Sequence, residues 1–255
     1  MNKHTIIYDT FPQNTPPWEH VRLGMVTGSD FNLLLRRGKV KGGESVTRRN
    51  RVHDCAHELL TGERADNTWK GNRFTERGHA QEKDAVELYV EMMDGRETLS
   101  FPAFIKDKHL RTGVSPDALV GSDGGLEVKT MAGGLFLQLK RNPRVPPEHA
   151  AQLQACLMVT ERSWWDLMVY SPPHTPLIMR VHPDRSHMAD LKAGLIAFNR
   201  EVDEVVLMEG KTVQTCQESL EARLSEVVDE WHESQSIELT PLALSELSSD
   251  GDGGQ

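Results

Sequence analysis

Cysteine is scarce in this chain: Cys55, Cys156 and Cys216 are the three present, and they lie far apart. An odd number at wide spacing excludes a disulfide framework, a zinc ribbon and a four-cysteine iron–sulfur cluster, and it points to a reducing cytoplasm. Long apolar runs are also missing. No stretch approaches the ~20 residues that a membrane span requires, and Met1-Asn2-Lys3-His4 is not followed by an apolar signal core, so a soluble, non-exported protein is expected. Positive charge is not in excess: 29 Lys and Arg face 38 Asp and Glu, a net charge of −9. Bulk charge therefore gives no indication of a nucleic-acid partner. No internal repeat is present.

What the chain does have is length, 255 residues, and a hydrophobic fraction of 38%, enough to bury a sizeable core. Its charge is unevenly spread. Residues 213–255 hold ten acids and a single base, Arg223, which leaves residues 1–212 neutral. A domain over 1–212 with an acidic extension over 213–255 is expected. In that extension Leu220, Leu224, Val227, Val228 and Trp231 suggest a helix over 217–233, and the sequence after Leu247 reads as a mobile end. This tail is expected to point outward, to touch a partner or to aid solubility.

Pro12, Pro16 and Pro17 make the opening read as irregular. Thr27-Gly28-Ser29-Asp30 offers a cap for a short helix over 29–36. Residues 36–51 carry seven bases against Glu44 alone, as either a solvated face or a phosphate-contacting one. A helix over 72–94 ends at Gly95, with Gly78, Glu82, Ala85, Val86, Tyr89 and Met93 on one face. Glu82 thus interrupts an apolar stripe, which costs free energy unless a metal ion, Lys or Arg meets it; chance irregularity of the stripe is the alternative. Strands are predicted over 99–101, 109–114, 117–120, 126–130, 164–170 and 177–181, and helices over 148–159 and 186–209. Helices packed on a central mixed sheet make the chain α/β or α+β.

The most informative pattern is Ser115-Pro116-Asp117 followed by Glu127-Val128-Lys129. Alternation along a strand displays Glu127 and Lys129 on one face and turns Leu126 and Val128 to the other. Asp117 joins them across a hairpin only if the turn holds an odd number of residues or a bulge. One lysine cannot neutralise several carboxylates, so a hard divalent cation is expected. With no Cys or regularly spaced His nearby, that cation is Mg²⁺ or Mn²⁺, as one ion or two, held by Glu82, Asp117 and Glu127. A water made more acidic beside Lys129 would then be a nucleophile for a phosphodiester. A surface hairpin with a salt bridge would also account for the bare spacing.

Asp117 with Glu127-Val128-Lys129 resembles the PD-(D/E)xK nuclease signature. Around it, Trp18 to Gly24 with Thr27-Gly28-Ser29, Arg77 to Glu82, Arg111 to Asp117, Gly125 to Lys129 and Ala151 to Gln154 before Val159-Thr160 are similar, in order and spacing, to the phage lambda exonuclease family, the YqaJ-like viral alkaline exonucleases. The resemblance spans residues 18–210. It implies a restriction-endonuclease-like α/β core, a central mixed sheet flanked by helices. It further implies a Mg²⁺-dependent exonuclease that degrades one strand of linear duplex DNA from its 5′ end, releases 5′-mononucleotides and leaves 3′ single strands for recombination.

Position by position, the resemblance makes Asp117, Glu127 and the Val128 carbonyl metal ligands assisted by Glu82, and makes Lys129 the residue that activates water. Asp107 matches a functionally important family acid. Arg22, Ser29, Ser115 and Gln152 match a pocket gripping the terminal 5′ phosphate, whose chemistry an Arg fork with hydroxyl and amide donors suits. Plainer roles exist: Arg22 could pair with Glu19, Ser29 could cap its helix, and Gln152 could be an exposed helix residue. Trp18, Trp164 and Trp165 read as packing residues rather than stacking platforms. The resemblance also implies a homotrimeric ring and suggests a single-strand annealing protein as partner. A site-specific endonuclease and a non-catalytic DNA-end or recombinase scaffold are the alternatives.

Overall fold

The computed structural model describes residues 4–38, 43, 45–65, 73–93 and 98–238, with side chains over 73–80 and 237–238 left aside. The predicted stop at Gly95, the bases Lys39 and Lys41 with their counter-charge Glu44, and the predicted mobile end lie outside these residues. Among those described, no helix is long and apolar enough to cross a membrane.

The chain runs β1 Thr5–Tyr8, α1 Pro16–His20, β2 Val26–Thr27, α2 Phe31–Leu34, α3 Val46–Thr61, α4 Arg73–Met92, β3 Leu99–Ser100, β4 Phe104–Asp107, β5 Thr112–Val114, β6 Ala118–Val120, β7 Gly124–Thr130, α5 Gly133–Arg141, α6 Pro147–Thr160, β8 Trp164–Tyr170, β9 Leu177–Val181, α7 Arg185–Met208 and α8 Val213–Glu238. The α/β class holds, with the strands divided between two mixed sheets. One has the order β1-β4-β5-β2 and the other β3-β6-β7-β8-β9. Pro116 has no N–H to give a ladder, and the chain passes from β5 in the first sheet to β6 in the second through Ser115-Pro116-Asp117.

Alternation along β7 sorts its side chains. Leu126 and Val128 join Ala118, Val120 and Met168 beneath Ala85 and Tyr89 of α4, whose apolar stripe lies where the sequence places it. The opposite face packs Leu119, Trp165, Leu167 and Val169 under α6 and α7. Leu191, Leu195, Phe198, Val202 and Val206 of α7 recur every three or four residues and are all buried; Asp184 caps that helix by accepting the N–H groups of Ser186 and His187.

The β6–β7 register pairs Ala118 with Leu126 and Val120 with Gly124, leaving Gly121-Ser122-Asp123 as a three-residue turn. An odd turn is what the spacing demands, and Gly121 supplies the positive φ of 53° that closes it. Arg162 holds this turn from outside, its Nη1 donating to the carbonyls of Val120, Gly121 and Gly124 at 3.3, 3.1 and 2.7 Å.

Several elements differ from the sequence-based expectation. β1 escapes notice because the prolines after it dominate the opening. Residues 109–111, predicted as strand, form a turn held by Asp107, whose Oδ1 accepts the N–H groups of His109 and Leu110 at 2.7 and 2.9 Å. α8 does not point outward. Its buried Cys216 and the side chains of Leu220, Leu224, Val228 and Trp231 rest on the body, Glu221 reaches Lys106 of β4, and its other described acids are exposed.

β7 opens with two glycines because the rings of Trp164 and Trp165 on the neighbouring β8 occupy the space a side chain would need. A Cβ on Gly125 would lie 2.4 Å from the buried Trp165 ring. Gly125→Ala is therefore expected to lower unfolding stability by about 1–3 kcal/mol, the usual range for overpacking. A denaturant midpoint equal to wild type would show that the ring has room to move.

Candidate active site

Glu127 is the buried centre of the site, at 2% exposure. Its Oε1 accepts from Lys129 Nζ and from Gln152 Nε2 of α6, each at 2.6 Å. Its Oε2 is buried and has no hydrogen-bond partner. Asp117, one residue beyond the last β6–β7 pair, comes level with Glu127. Its Oδ2 accepts the Val128 N–H at 2.6 Å. The N–H and C=O of one residue leave a strand on the same side, so the Val128 carbonyl emerges beside Asp117 too.

Charge in this cluster is not balanced. Burial pushes the Asp117 carboxyl well above its ordinary range, and the negative charges of Glu127 and then Glu82 push it further; the Val128 N–H and Lys129 offset only part. Glu82 thus acts on the site from α4, one turn before Ala85. Burial opposes the charge on Lys129, yet Glu127 and Asp117 outweigh it and hold the ammonium above its usual value. Lys129 is a cation at neutral pH in this state.

This donor set fits a hard divalent cation. All the groups are oxygens, one buried carboxylate oxygen is unsatisfied, and a second carboxyl is strained by negative neighbours that a cation would relieve. Among the described residues no three His, Cys, Asp or Glu side chains already enclose a point at ligand distance. The fit therefore lies in donor chemistry and charge rather than in a preformed cage. Cys156 below the site is a buried thiol pushed well above its usual value by burial and by Glu127, which leaves it inert.

A separate cavity of about 280 Å³ is lined by Arg22, Arg51 and Arg64, by Glu19, Asp30, Asp54 and Glu58, and by Ser29 among others. Arg22 stacks its guanidinium on the Trp18 ring at 3.7 Å, and its Nε is buried without a hydrogen-bond partner. Burial lowers its pKa to about 10, with Asp30 opposing, so it stays charged at neutral pH. The plainer roles do not describe these residues. Glu19 pairs with Arg64 at 3.0 Å, and the cap is made by Asp30, whose Oδ2 accepts the Thr27 N–H and O–H at 2.9 and 3.0 Å.

Ser115 and Gln152 connect the acids to the residues around the cavity without lining it. Ser115 Oγ accepts from Trp18 Nε1 at 2.9 Å, two residues before Asp117. Gln152 bonds Glu127 while its stem packs near Gly28, next to Ser29. Asp107 stands apart. Its carboxylate holds the β4–β5 turn, and it is not among the charges acting on Asp117 or Lys129.

Sequence reasoning missed two features here. His149, one turn before Gln152 on α6, feels Lys129: burial first, then that charge, holds its imidazole below the usual value. A helical wheel through Gln152 would have found it. Arg51 reads in sequence as part of a basic surface, yet it is an internal strut. It bonds Asp30 at 3.3 Å, Glu58 at 3.1 Å and the Met25 carbonyl at 2.9 Å, while Glu58 in turn accepts the Gly24 N–H at 2.9 Å. Arg48 likewise turns to Glu201, a forked pair at 2.6 and 2.8 Å.

The raised Asp117 carboxyl has a consequence for stability. The native state holds this proton more tightly than the unfolded chain, so stability falls as pH rises above the ordinary carboxylate range, and the ionised group is a liability at neutral pH. Asp117→Asn removes that charge and keeps an oxygen for the Val128 N–H. Without metal, the variant is expected to melt at a higher temperature than wild type at neutral pH, with the gap closing below about pH 4. A lower melting temperature at neutral pH would contradict this charge balance.

Comparison with known proteins bears on this arrangement. An alkaline exonuclease from Laribacter hongkongensis shares the fold at a TM-score of 0.66 and 23% identity, over 77% of this chain and 96% of that one. The same enzyme in complex with dAMP matches at 0.66 and 24%, over 76% and 95%. A phage-related exonuclease from Haemophilus somnus 129PT matches at 0.55 and 12% identity, over 72% and 96%. No curated protein sequence matches. The model of the YqaJ-like viral recombinase domain matches residues 17–163, more than half of the chain, and the chain belongs to that family.

Proposed function

We propose that this protein is a Mg²⁺-dependent 5′-to-3′ exonuclease acting on linear duplex DNA, releasing 5′-mononucleotides and leaving 3′ single strands for recombination of the phage type. The observation that carries the reading is the pairing of two unlike clusters. An under-neutralised acid group with an unsatisfied Glu127 oxygen is connected, through Ser115 and Trp18 and through Gln152, to a cavity whose Arg22 is cationic and has a buried Nε without a partner. The first suits a cation, the second a phosphate. The Laribacter hongkongensis relative has been crystallised with dAMP, a nucleotide of the kind this reaction would release.

Asp117, Glu127 and the Val128 carbonyl would hold the metal, with Glu82 nearby; Mn²⁺ would substitute. The bound ion would supply Lewis acidity toward water and the scissile phosphate. The chain's own residues do the rest. Arg22 and Ser29, with Ser115 and Gln152 at the inner side, seat the terminal 5′ phosphate. That places the next phosphodiester at the acids. Lys129, tied to Glu127, orients the attacking water and offsets charge gathering on the phosphate. Water adds to phosphorus, the bond to the terminal nucleotide's O3′ breaks, and that oxygen takes a proton. The remaining strand then carries a fresh 5′ phosphate for the same pocket.

The reading extends to a homotrimeric ring threaded by DNA, a single-strand annealing protein as partner, and a cytoplasmic setting. Because Arg48 and Arg51 are engaged internally, the basic residues facing a channel would be others, such as the exposed Arg36 and Arg37.

Linear duplex labelled at one 5′ or one 3′ end separates the possibilities. Mg²⁺ should release 5′ label first as mononucleotide, chelation should stop the reaction, and covalently closed circles should survive. Early loss of 3′ label, or cutting of circles, would overturn the proposed polarity or the exonuclease mode. Lys129→Ala should slow release at least about a hundredfold with end binding retained, and full activity would remove Lys129 from its role. Arg22→Ala should erode the preference for 5′-phosphorylated over 5′-hydroxyl ends; an unaltered ratio would exclude Arg22 from the pocket.

A further inference from the structure

The acidic C-terminal helix sits outside the matched family region, yet it is joined to α1, the helix that carries Trp18 and leads into Arg22. His20 is buried at 9% exposure, and its Nε2 meets the Leu220 carbonyl at 2.8 Å. A carbonyl only accepts, so this ring nitrogen carries the hydrogen and donates to α8. Lys106 of β4, buried at 8% exposure, adds an ion pair to Glu221 at 2.9 Å. Between these polar ties Leu224, Val228 and Trp231 close an apolar cluster containing Phe11, Val21, Met25, Ala103 and Phe104, with Trp18 on its edge. A cavity of only about 30 Å³, roughly the share of one liquid water, is left where α8 meets α1 and β4.

We propose that α8 is a positioning element of the end-binding pocket: by fixing α1 through His20 and the apolar cluster, it sets the Trp18 ring on which Arg22 lies. Trp18 is held from three sides. Its Nε1 donates to the Ala103 carbonyl at 3.1 Å and to Ser115 Oγ at 2.9 Å, one face bears Arg22 at 3.7 Å, and the cluster closed by α8 backs it. The indole thus links α8 to two of the residues assigned to the phosphate. The Arg22 Nε has no hydrogen-bond partner, and the stacked Trp18 ring is the surface on which its guanidinium rests. Apart from Glu221, the described acids of α8 are exposed, and the helix would act through α1 rather than through contact with the substrate.

This inference rests on the end-pocket reading above, and the test keeps the two apart. Full-length protein carrying Leu224→Ala and Val228→Ala is compared with wild type on duplexes bearing 5′-phosphate or 5′-hydroxyl ends. KM and kcat are measured on both, with melting temperature as the check on folding. The expected result is a loss of roughly tenfold in the kcat/KM preference for phosphorylated ends, carried by KM, with kcat on saturating DNA within about twofold and with Leu224→Met restoring the preference. Were α8 only a stabiliser, the variant would lose active molecules and kcat would fall equally on both substrates with KM and the preference unchanged; that result overturns the proposal. If the double variant does not fold, Val228→Ala alone, a smaller excision, is read by the same criterion. A wild-type enzyme indifferent to end phosphorylation would instead bring down the pocket reading itself.

Discussion

Two carboxylates at the same level of a hairpin, with a third within electrostatic reach and one ammonium among them, form the constraint around which this protein is built. Glu127 spends one oxygen on Lys129 and Gln152 and leaves the other buried and unsatisfied. Asp117 is driven toward protonation by burial and by Glu127 and Glu82. Such a cluster is unfavourable in isolation, because buried carboxylates need more compensation than one lysine gives. The fold tolerates it through the apolar packing on either side of β7: α4 on one face, α6 and α7 on the other. Stability made in the core is used at the seam between the two sheets, where function is concentrated.

The second cluster is centred on a cation, Arg22, and is tied to the first. Arg22 rests on Trp18, Trp18 bonds Ser115, and Ser115 stands two residues from Asp117. Gln152 makes the other link, from the Gly28-Ser29 turn to Glu127. The Arg22 pocket and the acidic centre are therefore tied together through Trp18, Ser115 and Gln152. For the reaction proposed above, which would recognise one phosphate and cleave the next, such a linkage is the property that counts.

Much of this was legible in the sequence. Alternation in Leu126-Glu127-Val128-Lys129 fixed which side chains share a face, and the demand for an odd turn was met by Gly121-Ser122-Asp123. The stripe through Ala85 and Tyr89 gave α4 its orientation and placed Glu82 near the acids. What stayed hidden depends on tertiary contact. Charge density over 36–51 could not reveal that Arg51 turns inward to Asp30 and Glu58, because a buried ion pair and an exposed basic face have the same composition. The net charge of the tail spoke for its outer surface and concealed the apolar side that docks. β1 was lost among prolines that follow rather than interrupt it.

Arg162 lies at the far end of the β6–β7 hairpin from the acids, yet it grips three carbonyls around the turn that sets their alignment. The turn sets the register that runs through the pairs Val120–Gly124, Leu119–Gly125 and Ala118–Leu126 to the level of Asp117 and Glu127. An architectural residue remote from the acids thus bears on their alignment, and loss of its three carbonyl contacts would loosen the turn from which that alignment starts.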